Sequence, residues 1–297
     1  MFINNLNDIG IDININLSQF NHVNRLTNPE GTVVNVSGVE IGGQDIVVMA
    51  GPCSVESLEQ LSIIAKTIKN SGAMILRGGA FKPRTSPYSF QGLEDEGLKI
   101  LKQIRTEFDI PVITEIMDPR KLDLICEHVD ILQIGSRNMH NTPLLREVGK
   151  VKKPVLLKRG MSATIEEFLF AAEYIMKEGN DQVVLCERGI RTFETSTRFT
   201  LDIAAIPLLK QISHLPVIAD PSHGSGHWWV VPALAKAALA AGADGLMIEV
   251  HHQPDEAKSD GSQSLKPYKF KTLMDDLSHL KQALGRNISQ PHLLQQE

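Results

Sequence analysis

Cysteine is scarce in this chain. Three occur in 297 residues, Cys53, Cys126 and Cys186, and no two are spaced as a pair. That speaks against a disulfide framework and for a reducing compartment. Aromatic residues are few, at 5%. Positive charge is not in excess. The net charge of −5 argues against a general nucleic-acid binder and against a protein held on an anionic membrane surface. No window reaches the ~20 apolar residues of a membrane span. The start, MFINNLNDIGIDININ, lacks the basic residues and apolar run of a secretory signal. These absences predict a cytoplasmic protein with no nucleic-acid or membrane partner.

What is present is a regular alternation. From Asp45 onward, short apolar runs rich in β-branched residues alternate with longer helical stretches. The runs are 45–51, 73–79, 111–116, 131–136, 154–159, 182–188, 216–223 and 244–251. Each is nearly continuous in apolar residues, as strands covered on both faces are. Ser57 to Gln60 and Thr164 to Glu167 have the spelling of capping boxes that open helices. Proline precedes the runs at 111, 154 and 216, where a helix cannot continue. Eight strands alternating with helices is the count of a (β/α)8 TIM barrel, an α/β fold. An open doubly wound sheet would want a Gly-rich fingerprint after its first strand, and none is there. Ahead of the barrel, TVVNV-SG-VEI reads as a β-hairpin. The expected organisation is an N-terminal extension of uncertain order at 1–31, a hairpin at 32–44 closing the barrel bottom, a catalytic barrel at 45–285 and a C-terminal tail at 286–297.

In such a barrel the active site lies at the C-terminal ends of the strands. Two sets of residues fall there. One is cationic: Arg77, Lys82, Arg84, Arg137, Lys158 and Arg188. A single cation at a strand end is usually solvated or paired. Several converging on one rim of an acidic protein repel one another unless an anion offsets them, and arginine's fork fits phosphate and carboxylate. Six cations point to more than one anionic group. Lys158 reads as an anion clamp rather than an imine-forming amine, since other cations surround it. The second set is Cys53, His223 and Glu249, with Asp260 in a Gly/Ser-rich loop. A buried cysteine is usually a packing residue, and that reading is kept for Cys126 and Cys186. Cys53 differs, because it follows Gly51-Pro52 at a strand end. Cys, His and carboxylates together suit Zn, Fe, Co or Mn better than Ca. His251 and His252 are weaker candidates, since neighbours on a strand face opposite ways; a surface role is expected.

The motifs GPCS, RGGAFKPRTSPYSFQG, TEIMD, IGSRNM, LLKRGM, LCERGIRTFE, ADPSHGSG and IEVH…SDGSQSL together resemble the type I 3-deoxy-D-arabino-heptulosonate 7-phosphate (DAHP) synthases, of the branch related to 3-deoxy-D-manno-octulosonate 8-phosphate synthase. The resemblance covers about residues 32–280. It implies condensation of phosphoenolpyruvate with erythrose 4-phosphate, the entry step of the shikimate pathway. It implies one divalent metal ion (Mn, Co, Fe or Zn) on Cys53, His223, Glu249 and Asp260. It places Arg77, Lys82 and Lys158 at the carboxylate end of phosphoenolpyruvate. Arg137, Arg188 and again Lys158 go to its phosphate, and Arg84, Thr85 and Ser86 to the aldose phosphate; Ser136, beside Arg137, is a further substrate-binding candidate. Lys82, Cys53 and His223 are the catalytic candidates, with Glu115 a candidate for ordering water. A homo-oligomer, favouring a tetramer, is implied as well. Some relatives carry a ferredoxin-like regulatory domain before the barrel; 1–31 is too short for one, and none is expected.

The chain departs from the family at His227-Trp228-Trp229, where a basic pair is common. It also departs at Ser136, where Ala is common, at His140 and Thr142 in NMHNT, and at IEVHHQP. None removes a proposed ligand. The nearest alternative is the octulosonate synthase, which takes arabinose 5-phosphate. Its second-strand loop reads K-A-N-R-S-S, one residue longer than Lys82-Pro83-Arg84-Thr85-Ser86 here. A non-catalytic barrel that binds phosphometabolites is the second alternative.

Overall fold

The computed structural model describes residues 15–84 and 86–288. A hairpin of β1 (Val34–Val36) and β2 (Val39–Ile41) comes first. Ser37 and Gly38 join the two strands, with φ of 49° and 90°, the left-handed pair that a tight hairpin turn needs. The barrel strands follow: β3 (Asp45–Gly51), β4 (Ile75–Arg77), β5 (Val112–Ile116), β6 (Ile131–Ile134), β7 (Val155–Lys158), β8 (Val183–Glu187), β9 (Val217–Ala219) and β10 (Gly245–Glu249). All pair in parallel in chain order, and β10 pairs back onto β3, which closes the ring. Between them run α1 (Leu58–Asn70), α2 (Glu94–Phe108), α3 (Leu122–His128), α4 (Thr142–Gly149), α5 (Ile165–Lys177), α6 (Ala205–Ile212), α7 (Pro221–Ser225) and α8 (Val231–Ala240), and α9 (Pro267–Leu284) follows β10. Asn287 and Ile288, within the stretch read as a tail, form a short β11 beside Asp45 and Ile46 of β3.

Local sequence explains the helix starts. The Thr164 hydroxyl accepts from Glu167 N and the Glu167 carboxylate accepts from Thr164 N, a complete capping box. Ser57 makes only its half: its hydroxyl accepts from Gln60 N at 3.0 Å, while the Gln60 side chain donates to Ser54 O instead. Helix α1 buries Leu61, Ile64, Ala65 and Ile68, the three-and-four spacing of one helix face.

Two apolar layers result. The larger lies between strands and helices. The smaller fills the barrel, and it includes inward residues of all eight barrel strands together with Val34, Val36, Val39 and Ile41 of the hairpin. The hairpin's apolar face therefore stoppers the N-terminal end of the barrel. Polar side chains are left to the other end.

Residues 15–31 are tied to the barrel wall. The Phe20 and Phe170 rings lie 4.7 Å apart. The Glu173 carboxylate accepts the backbone N–H groups of Asn21, His22 and Val23 at 2.8 to 3.1 Å. His214, before β9, joins His22 O at 2.6 Å through Nε2 and the Thr32 hydroxyl at 2.7 Å through Nδ1. Among the described residues no helix is long and apolar enough to cross a membrane.

Candidate active site

The C-terminal ends of the strands open into a cavity of about 320 Å³. Its wall carries Arg77, Lys82, Arg84, Arg137, Lys158, Arg188 and Arg198, with Glu115, Ser86, Ser136, His223 and Asp260 among them. Thr85 lies outside the described residues.

At the floor, Cys53, His223, Glu249 and Asp260 present one ligand atom each, all within 4.8 Å of one another. Cys53 is delivered by the turn after β3, His223 by the short helix after β9, and Glu249 by the last residue of β10. Asp260 comes from the following loop, where its φ of 49° is a left-handed conformation that Asp tolerates better than most residues. Cys53 Sγ donates to Asp260 Oδ2 at 3.1 Å. His223 Nε2 stands 3.4 Å from Glu249 Oε1 and 3.9 Å from Asp260 Oδ2. Its other nitrogen, Nδ1, is held by Asp220 Oδ2 at 2.7 Å. A ring fixed from behind by a carboxylate, with its free nitrogen aimed at two acids and a thiol, is the arrangement of a metal-binding histidine.

The electrostatics agree. Burial lowers the pKa of His223 despite Asp220 and Glu249, which favours the neutral ring that a metal ion needs. Burial, with Glu249 beside it, pushes the Cys53 thiol up to about 11, against the pull of Lys82 and Arg77. Burial would raise Asp220, but His223 and Lys158 outweigh it and hold its carboxyl well below the usual range.

Several of the cations are wired to the same floor. Arg77 NH1 donates to Glu249 Oε1 at 2.6 Å. Lys82 Nζ lies 3.0 Å from Cys53 Sγ. Lys158 Nζ reaches Asp220 Oδ2 at 2.5 Å. Arg188 stacks on the Phe199 ring at 4.2 Å. The preceding residue, Glu187, takes Arg159 NH1 at 2.9 Å, and Arg159 also binds Asp202 at 2.8 Å. That buried network pins both ends of the loop on which Arg188 and Arg198 sit. Glu115 is buried at the cavity edge, with Gln133 Nε2 3.4 Å away.

Residues 19–285 match the profile described as the DAHP synthetase I family. The chain belongs to that family. It is 48% identical over 273 residues to a phospho-2-dehydro-3-deoxyheptonate aldolase of Thermotoga maritima, covering 92% of this chain and 81% of that protein. It is 33% identical over 270 residues to a 2-dehydro-3-deoxyphosphooctonate aldolase of Francisella tularensis, covering 83% of this chain and 97% of that one. The solved DAHP synthase of Thermotoga maritima superposes with a TM-score of 0.89 at 44% identity, over 94% of this chain and 87% of that one.

Against this DAHP synthetase background, one expectation is corrected and three residues join the site. His251 is not on the surface. It is 3% exposed, with Nε2 3.6 Å from Glu56 Oε1, and its ring stacks on His252 at 4.9 Å. Strand β10 ends at Glu249, so strand alternation does not govern that pair. Asp220 is not among the residues the sequence singles out, although an Asp three positions before His223 is a readable signal. Arg198 and Gln263 were missed too, and their roles depend on partners distant in sequence.

Proposed function

We propose that this protein condenses phosphoenolpyruvate with erythrose 4-phosphate, giving DAHP and inorganic phosphate, and so acts as a metal-dependent aldol-type transferase. The observation that carries the reading is the junction of a four-donor cluster, reaching the cavity through His223 and Asp260, with the seven cations that line it. A phosphate sensor has little use for the first, and a plain metal site has little use for the second. The protein would work as a cytoplasmic homo-oligomer, a tetramer by family resemblance.

Cys53, His223, Glu249 and Asp260 would hold the divalent ion. Their mix of thiolate, imidazole and carboxylate fits Mn, Co, Fe or Zn. Once bound, such an ion supplies Lewis-acid polarisation to the aldehyde oxygen or to a water.

The remaining work falls to side chains. Arg77, Lys82 and Lys158 take the phosphoenolpyruvate carboxylate. Arg137 and Arg188, with Lys158 and Ser136, take its phosphate. Arg84, Thr85 and Ser86 take the aldose phosphate. Clamping both substrates by their charged ends brings C3 of the enol to the aldehyde carbon, and proximity of that kind lowers a barrier by several kcal/mol. As the C3–C bond forms, C2 gains cationic character. Glu115 orders the water that adds to C2, and the C2–O bond to phosphate then breaks. The added water sheds both protons, one to the aldehyde oxygen and one with the departing phosphate, which leaves C2 as the ketone; Lys82, beside Cys53, stabilises the charge that grows on the aldehyde oxygen before the proton arrives.

The loop Lys82-Pro83-Arg84-Thr85-Ser86 favours the four-carbon aldose over arabinose 5-phosphate. Phosphate release measured with each sugar in turn tests this. Erythrose 4-phosphate should give the larger kcat/KM; a larger value with arabinose 5-phosphate would overturn the assignment.

A further inference from the structure

Two residues beside the donor cluster have no part in the reaction as described. Gln263 is 1% exposed, and its Nε2 donates to Glu249 Oε2 at 2.7 Å. Its Oε1 accepts from Arg198 NH1 at 3.2 Å. The same NH1 reaches Asp260 Oδ1, also at 3.2 Å. The amide can face only one way here. A guanidinium offers donors alone and a carboxylate acceptors alone, so oxygen must meet Arg198 and nitrogen must meet Glu249. Arg198 thereby selects the amide orientation that satisfies Glu249, whose other oxygen is already taken by Arg77.

We infer that Gln263 and Arg198 are positioning residues for the metal-ligand carboxylates. Gln263 fixes the plane of Glu249, and Arg198 fixes Gln263 and Asp260 together. This rests on the ligand reading above. Arg198 stands on the loop that begins with Arg188, and both guanidiniums lie against Phe199, at 5.5 and 4.2 Å from its ring centre. One loop therefore touches the phosphate end of the cavity and the metal end.

Two effects oppose each other at Arg198. Its charge repels a cation, so charge alone makes its removal tighten metal binding. Its contacts order two ligands, so geometry makes removal loosen binding. The Arg198 side chain is 41% exposed, and solvent and salt screen the repulsion. Partners behind metal ligands are typically worth about 10–100-fold in affinity. The geometric effect prevails.

Calorimetric titration of Mn²⁺ into metal-stripped protein decides the matter. Gln263→Leu and Arg198→Met should each bind roughly 10–100-fold more weakly, with Arg198→Lys between them and the wild type. The double variant should be little worse than the poorer single one, because both break one chain of contacts. Melting of the metal-free proteins separates this from general loss of fold. Should Gln263→Leu fail to fold, the exposed Arg198→Met decides alone. A folded Arg198→Met that binds Mn²⁺ as tightly as the wild type, or more tightly, overturns the inference and leaves the ligand reading intact. A wild type that takes up no ion overturns the ligand reading, and the inference with it.

Discussion

Gly135 follows β6 with φ −69° and ψ 157°, a conformation any residue adopts. Its constraint is spatial: a Cβ there would stand 2.0 Å from Glu115 Oε1. Gly135→Ala should therefore move the Glu115 carboxylate and leave the fold alone. Turnover should fall by roughly 10²-fold, the scale of losing one aligned polar group, while the melting midpoint shifts by a few degrees at most. Near-normal turnover, measured as phosphate release, would remove Glu115 from the reaction. Single residues are also where the sequence was least legible. Cys53, His223 and Glu249 could be read because each falls at a strand end and strand ends converge. Asp220 and Gln263 act through partners that only the folded chain brings near: Lys158 is 62 positions from Asp220, and Arg198 is 65 from Gln263.

At the scale of elements, the barrel strands were readable because burial on both faces leaves nearly unbroken apolar runs. Residues 15–31 were not. Their order comes from Glu173 on α5 and from His214, not from any period of their own. Burial is the main reason the His214 pKa lies below its ordinary value; Arg25 adds to this and the His22 carbonyl opposes it. A depressed histidine pKa means the neutral ring is the one that fits. Its contribution to stability is complete above the unfolded value of about 6.5. It is lost as pH falls from there through the lower folded value. Protection factors of the amides in residues 21–32, with the intrinsic pH dependence of exchange divided out, should fall over that acidic window, and His214→Gln should abolish the step. Protection that stays flat with pH in the wild type would show that His214 does not fasten the segment.

For the whole molecule, metal uptake and stability should move together. A ligand present at 100 times its Kd adds about 2.7 kcal/mol to the folded state. Chelation should abolish turnover and lower the melting midpoint by several degrees, and Mn²⁺, Co²⁺, Fe²⁺ or Zn²⁺ should restore both. Full turnover in a metal-free sample would sink the ligand assignment. Because the Cys53 thiol must shed a proton that it holds up to about pH 11, uptake should release acid and strengthen as pH rises. The two-residue strand β11 bears on the molecule in another way. Asn287 and Ile288 lie along Asp45 and Ile46, the first residues of the strand at which the ring shuts. Just before β11, Arg286 NH1 donates to Ala243 O at 2.9 Å, ahead of β10. The chain's last described residues thus hold both sides of the seam at its foot, like a latch, and shortening the chain there should loosen that end of the ring first.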